Sequence, residues 1–206
     1  MEELIITKAR DLFFSYGLKS VSMDDIAGHA GVSKKTIYKS FEDKNHLVRL
    51  LVTELLTCHN NALKQSIVDA KNAIEALINA SGIPFNLIAA VNPGFMYEIE
   101  KFYPAIWKLV IEHKQNVLLP AIIENLKQGI EEGLYRPEMD IAFVADVRVQ
   151  QIMTAFDVKT FTDRVIQCNK LLQQLTDLFL HAITTPNGKK LIDKYLNVNN
   201  EKQFSN

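Results

Sequence analysis

Apolar residues along this chain recur every three or four positions, and no stretch sustains the two-residue alternation of a half-buried strand. Near the start, Ile5, Ala9, Leu12, Phe13 and Tyr16 share one helical face, which predicts a helix over 2–16. Gly17 follows where a left-handed residue commonly ends a helix. In Ser22-Met23-Asp24-Asp25 a hydroxyl stands three residues before a carboxylate, the mark of a capped helix start, and a helix is predicted over 23–30. Gly31-Val32 reads as a tight turn, and Ser33 caps a short third helix over 34–40. Asp43 then caps a long helix whose apolar side carries Leu47, Val48, Leu51, Leu55 and Ala62.

Further helices are predicted over 71–80, 84–91 and 94–102, then a long one over 104–132 that Pro120 should bend. Gly133 ends that run, and Tyr135-Arg136-Pro137 turns the chain. Two substantial helices follow, over 139–156 and 161–184. Thr185-Pro186-Asn187-Gly188 should break the chain before a short amphipathic end, 189–196, and 197–206 reads as a solvated, disordered tail. The expected class is all-α, with a three-helix unit over 1–46 and a larger helical bundle over 47–196.

Composition narrows the setting. A chain of 206 residues can bury roughly 70% of its unfolded surface, so it needs no disulfide or metal to fold. Its two cysteines, Cys58 and Cys168, form neither a metal spacing nor a disulfide framework, which suits a reducing cytosol. The first residues lack an unbroken apolar stretch, and no run approaches the ~20 apolar residues that span a bilayer, so a cytoplasmic protein with no membrane partner is expected. No cofactor is expected. The net charge of −1 argues against a generic polyanion binder. Yet Lys34, Lys35, Lys39 and Lys44 fall close together, and a basic patch on a near-neutral protein favours a positioned contact with DNA.

Two short helices joined by a glycine-containing turn match the helix-turn-helix motif. Ala27 is small where the helices must cross, Gly31 permits the turn, and Ile37 can plug the space between Ile26 and Val32. Lys34, Lys35, Thr36, Tyr38 and Lys39 leave every face but the inward one polar, as suits a recognition helix reading base edges and gripping phosphates. An ordinary helical hairpin with a solvated lysine face is the plainer alternative.

The run from Phe14-Ser15-Tyr16-Gly17 through Ser20-Val21-Ser22-Met23-Asp24-Asp25-Ile26-Ala27 and Ala30-Gly31-Val32-Ser33-Lys34-Lys35-Thr36-Ile37-Tyr38-Lys39-Ser40-Phe41 to Asp43-Lys44 resembles the DNA-binding domain of TetR-family regulators. The resemblance covers residues 5–55 closely and fades past residue 60. It departs from the family pattern at Lys35, where glycine is frequent, and at Lys39-Ser40, where an aromatic pair is frequent. Carried over by position, it implies that Ser22 contacts phosphate and that Lys34, Lys35 and Thr36 face the major groove. Tyr38 and Lys39 would hold the backbone, and Lys44 would grip phosphate from the start of the fourth helix. Phe13, Ile26, Ala27, Ile37 and Phe41 would be core. The partners so implied are a palindromic double-stranded DNA operator, a small-molecule effector and a second copy of the chain. The function implied is that of a sequence-specific transcriptional regulator, a repressor released by a small apolar or amphipathic effector.

Residues 80–160 hold nine of the chain's eighteen aromatic side chains, which reads as plain core or as an effector pocket. The candidate ligand residues are Phe102, Tyr103, Trp107, His113, Phe143, Arg148 and Gln151. Arg148, set in Val147-Arg148-Val149, is the most out of place; it suits an effector carboxylate or an acid across a dimer. The helices over 139–156 and 161–184 are apolar on two faces, one for their own core and one for a second copy, with Leu175 and Phe179 assigned to the latter. An enzyme is disfavoured, since no paired carboxylates, metal-ligand run, nucleophile motif or phosphate loop is present and the five histidines are scattered. The remaining alternative is a helical protein of this type acting through protein partners without regulating genes.

Overall fold

A computed structural model of the chain describes residues 1–82, 84–85, 94–156 and 168–203. Helices α1 (Glu2–Tyr16), α2 (Met23–Ala30) and α3 (Lys34–Ser40) form the amino-terminal unit. α4 (Lys44–Val68) leads out of it, followed by α5 (Ala73–Ala80), α6 (Gly94–Phe102) and α7 (Pro104–His113). α8 (Leu119–Glu131), α9 (Ile141–Ala155), α10 (Cys168–Ile183) and α11 (Pro186–Gln203) complete the described body. Among the described residues there is no strand, only an isolated antiparallel bridge between Tyr135 and Thr184.

The long helix predicted over 104–132 is helical throughout but changes register. Between α7 and α8 lies a π turn, Lys114–Leu118, in which the Leu119 N–H reaches back to the Lys114 carbonyl. Pro120 sits in the first turn of α8, where its missing N–H removes one helical bond, and the wider turn before it absorbs the mismatch. The end of the chain departs further from expectation. Pro186 opens α11 instead of breaking the chain, because proline suits a first helical position, and the Thr185 hydroxyl caps it by accepting from the Gly188 N–H at 3.2 Å. The helix then runs to Gln203, where a tail was expected from 197. The helix predicted over 84–91 falls largely outside the described residues, as do 161–167.

Two cores form. The first gathers Ile5, Phe13, Ile26, Ala27, Ile37, Phe41 and Leu47, so the five residues expected as core are buried. Phe95 and Ile99 of α6 and Ile106 and Val110 of α7 close it from the body side. The second lies among α5, α8, α9 and α10 and includes Ile74, Leu126, Tyr135, Val149 and Leu172. α4, about 37 Å long at 1.5 Å per residue, joins the two: its first half lies in the first core, and it packs against α5 beyond. Tyr135, read as a turn residue, is fully buried, its ring so close over Gly129 that an added Cβ would lie 2.0 Å from it. Main-chain bonds from Arg136 to Ile183 and from Thr185 to Leu134, each 2.9 Å, lock this turn to the corner between α10 and α11.

Candidate nucleic-acid interface and effector cavity

α2 and α3 are each fixed by a side chain acting three residues away. The Ser22 hydroxyl accepts from the Asp25 N–H at 3.1 Å while the Asp25 carboxylate accepts from the Ser22 N–H at 2.8 Å, a reciprocal cap. Those bonds hold the Asp25 carboxyl below its usual range, with the Ser22 hydroxyl, at 2.7 Å, the first cause. Gly31 takes the left-handed conformation, φ 65°, that turns the chain into Ser33, whose hydroxyl accepts from the Thr36 N–H at 3.1 Å. Gly17 also has a positive φ, 82°, but its ψ of 169° is extended and not the left-handed helical value expected there.

α3 buries Ile37 fully against α2 and turns Lys34, Lys35, Tyr38 and Lys39 outward. Thr36 is half-buried and shares a 2.8 Å hydrogen bond with the Ser33 hydroxyl. The cations are not equivalent. Lys34 lies 2.8 Å from Asp24, and that bond raises its pKa above the ordinary lysine value. Among the described residues Lys35 and Lys39 have no ion-pair partner, so their charge is open to solvent.

Lys44 differs most from the exposed grip that its place in the motif implied. Its ammonium donates to the Leu18 carbonyl and lies 5.6 Å from the centre of the Phe13 ring. Half-buried there, it has its pKa pushed below the lysine value by desolvation, which Glu98 and Asp25 oppose. Lys44 therefore ties the start of α4 to the turn between α1 and α2, a partner the motif did not reveal. Glu98 of α6 fastens the same turn, accepting from the Leu18 N–H at 2.5 Å and the Lys19 N–H at 3.1 Å. No sequence signal marked Glu98, because its partners are about eighty residues away.

The seven candidate ligand residues do not converge on one site. Phe102 and Tyr103 face Asp43, His46 and Arg49 at the junction with the amino-terminal unit. Trp107 borders a cleft with Met96, Tyr97 and Met153. Phe143 and Gln151 line a shallow outer face of α9 with Val147 and Leu175, and Phe143 is 66% exposed. His113 is bonded instead to His59, ring nitrogen to ring nitrogen at 3.0 Å. Arg148 alone of the seven lines the narrow apolar cavity of about 40 Å³ between α4, α5, α8 and α9, with Leu63, Ala76, Leu77, Phe85, Ile122 and Ile152 among its walls. Residues that are close in sequence diverge here because successive helical positions point 100° apart.

Cys58 and His59 are neighbours in α4 and point in different directions. The helix exposes Cys58 and buries His59, whose Nε2 has no partner among the described residues. Burial, with His113 adding to it, drives the His59 pKa from 6.5 down to about 4. Phe179, assigned to the dimer face, is buried beneath the Arg148 guanidinium at 5.1 Å, whereas Leu178 is 64% exposed.

Residues 5–51 match the family described as bacterial regulatory proteins, tetR family. The transcriptional repressor KstR2 of Mycobacterium tuberculosis is 24% identical over 143 residues, 68% of this chain and 72% of that protein. A transcriptional regulator from Cytophaga hutchinsonii superposes with a TM-score of 0.70 at 19% identity, covering 89% of this chain and 98% of that one. FadR of Bacillus subtilis, solved with stearoyl-CoA, gives 0.66 at 18% identity over 87% and 98%. With residues 5–51 matching that family and a capped helix-turn-helix that turns its polar face outward, the amino-terminal unit is a TetR-type DNA-binding unit and the chain is a DNA-binding transcriptional regulator.

Proposed function

We propose that this regulator is a homodimeric repressor that a small apolar or amphipathic effector, taken into the cavity between α4, α5, α8 and α9, releases from a palindromic operator. α3 of each subunit enters the major groove; Lys35, Tyr38 and Lys39 hold it, while Lys34 and Thr36 are already partly engaged with Asp24 and Ser33. The second copy covers the outward stripe of Phe143, Val147 and Leu178 on α9 and α10, apolar side chains that this subunit leaves in water.

The observation that carries the reading is the reach of α4. One uninterrupted helix supplies Leu63 and Ile67 to the cavity wall and Lys44 and Leu47 to the amino-terminal unit. An occupant that shifts α4 moves the recognition helix with it, and the same differential fit favours the DNA-free form. KstR2 is a repressor by name and Bacillus subtilis FadR holds stearoyl-CoA, which supports repression and an effector with an apolar chain.

The test selects an operator from random duplexes and screens apolar and amphipathic compounds for release of that duplex. Ala121→Val alone fills much of a cavity this narrow, so this variant should bind operator as the parent does and respond far less to the compound. Equal release from the filled variant would move the effector site elsewhere.

A further inference from the structure

We propose that the occupant of this cavity is an amphiphilic carboxylic acid whose carboxylate pairs with Arg148. The proposal rests on the cavity reading above and adds the head-group chemistry. Arg148 is 1% exposed, yet among the described residues its partners are all neutral. The guanidinium donates to Ser81 Oγ at 3.0 Å, to Thr176 Oγ1 at 2.6 Å and to Gln151 Oε1 at 3.3 Å, and it lies over the Phe179 ring.

The two hydroxyls are arranged to hold a cation. Ser81 spends its own hydrogen on the Leu77 carbonyl and Thr176 on that of Leu172, so each presents only lone pairs to Arg148. Burial lowers the Arg148 pKa to about 10, which leaves it charged at neutral pH. A buried charge with no counter-charge is costly and is ordinarily paired.

The rest of the lining is spent or apolar. Asn125, the other polar uncharged wall residue besides Ser81 among the described residues, donates to the Ala73 carbonyl at 2.8 Å and accepts from the Tyr135 hydroxyl at 3.2 Å. Among the described residues Arg148 is the one charged member of the lining. An acid on a second subunit is a poor alternative, since Arg148 is buried in this subunit with Thr176 and Phe179 packed against its guanidinium. An apolar tail against Leu63, Leu77, Phe85 and Ile122 with one carboxylate at Arg148 matches both halves of the lining, and the narrow cavity widens to admit it.

Decanoate and decan-1-ol share a chain and differ in the head, so calorimetric titration of both separates charge from tail. The parent should bind decanoate roughly tenfold to a hundredfold more tightly, the span of a charge-assisted hydrogen bond. Arg148→Met should bring the two to near parity while keeping the alcohol. Equal binding by the parent overturns the carboxylate proposal and leaves the cavity reading standing, and that comparison needs no variant to fold. An undiminished preference for the acid in Arg148→Met overturns it as well. If neither probe binds the parent, the cavity reading fails and takes the proposal with it.

Discussion

The amino-terminal unit and the body differ in the span of the polar contacts that set up their sites. In the first, the starts of α2, α3 and α4 are fixed over three residues, Ser22 with Asp25, Ser33 with Thr36 and Asp43 with His46, and Lys35 and Lys39 turn to solvent. In the body the decisive polar contacts cross the chain: Arg148 to Ser81 over 67 positions, His59 to His113 over 54, Asn72 to Tyr195 over 123. One charge there, Arg148, points inward. The first arrangement suits a surface that meets a polyanion, and the second suits an interior that must recognise something small.

Substitutions in each region should separate them. The largest effect belongs to the body. Gly129→Ala sets a methyl against the buried Tyr135 ring, so urea denaturation should show a loss at the upper end of the overpacking range, about 3 kcal/mol. A loss below about 1 kcal/mol would mean that the turn over Tyr135 gives way easily, and the contrast in rigidity would go.

The buried histidine gives the next effect, which depends on pH. Unfolded, His59 takes up a proton near 6.5, and folded only near 4, so between those values the unfolded state binds more protons. Its contribution is complete above about pH 6.5 and is lost as pH falls toward 4, up to about 3 kcal/mol. His59→Leu should flatten most of that slope, His113 supplying the remainder because burial lowers its pKa too. A parent protein whose stability does not change from pH 7 to 4.5 would show that the pair is solvated.

The amino-terminal unit should yield least. Gly31 has open space around its Cβ position, so Gly31→Ala meets only the left-handed backbone cost, about 1 to 2 kcal/mol. A larger loss, measured by thermal denaturation, would reveal packing around the turn and blur the contrast.

The same difference in span explains what could be read from the chain unaided. Caps and turns are local, so α2, α3 and the start of α4 fall where Ser22, Gly31, Ser33 and Asp43 place them, and α1 ends at Gly17. The outward lysines were legible for the same reason. The ligand residues were not, because the aromatic content of 80–160 says nothing of which helix faces which. Arg148 stood out as a charge among valines, but Ser81 and Thr176 became its partners only when α5 and α10 closed on α9. Lys44 fits its motif and still bonds inward, since the Leu18 carbonyl that takes it lies in another turn.

The exposed cations of α3 can be tested against DNA directly, by titrating a selected operator duplex and a scrambled one across a salt series. Lys35→Ala with Lys39→Ala removes four cationic contacts from a dimer, so the slope of log affinity against log salt should flatten by about 3 to 4, at roughly 0.9 per contact. Operator affinity should fall with it. Lys44→Ala should change the slope far less and lower the melting temperature instead, as its internal bond to Leu18 requires. If the double variant binds operator with the parent's affinity and salt slope, α3 is not the element that holds DNA and the account of this interface is wrong.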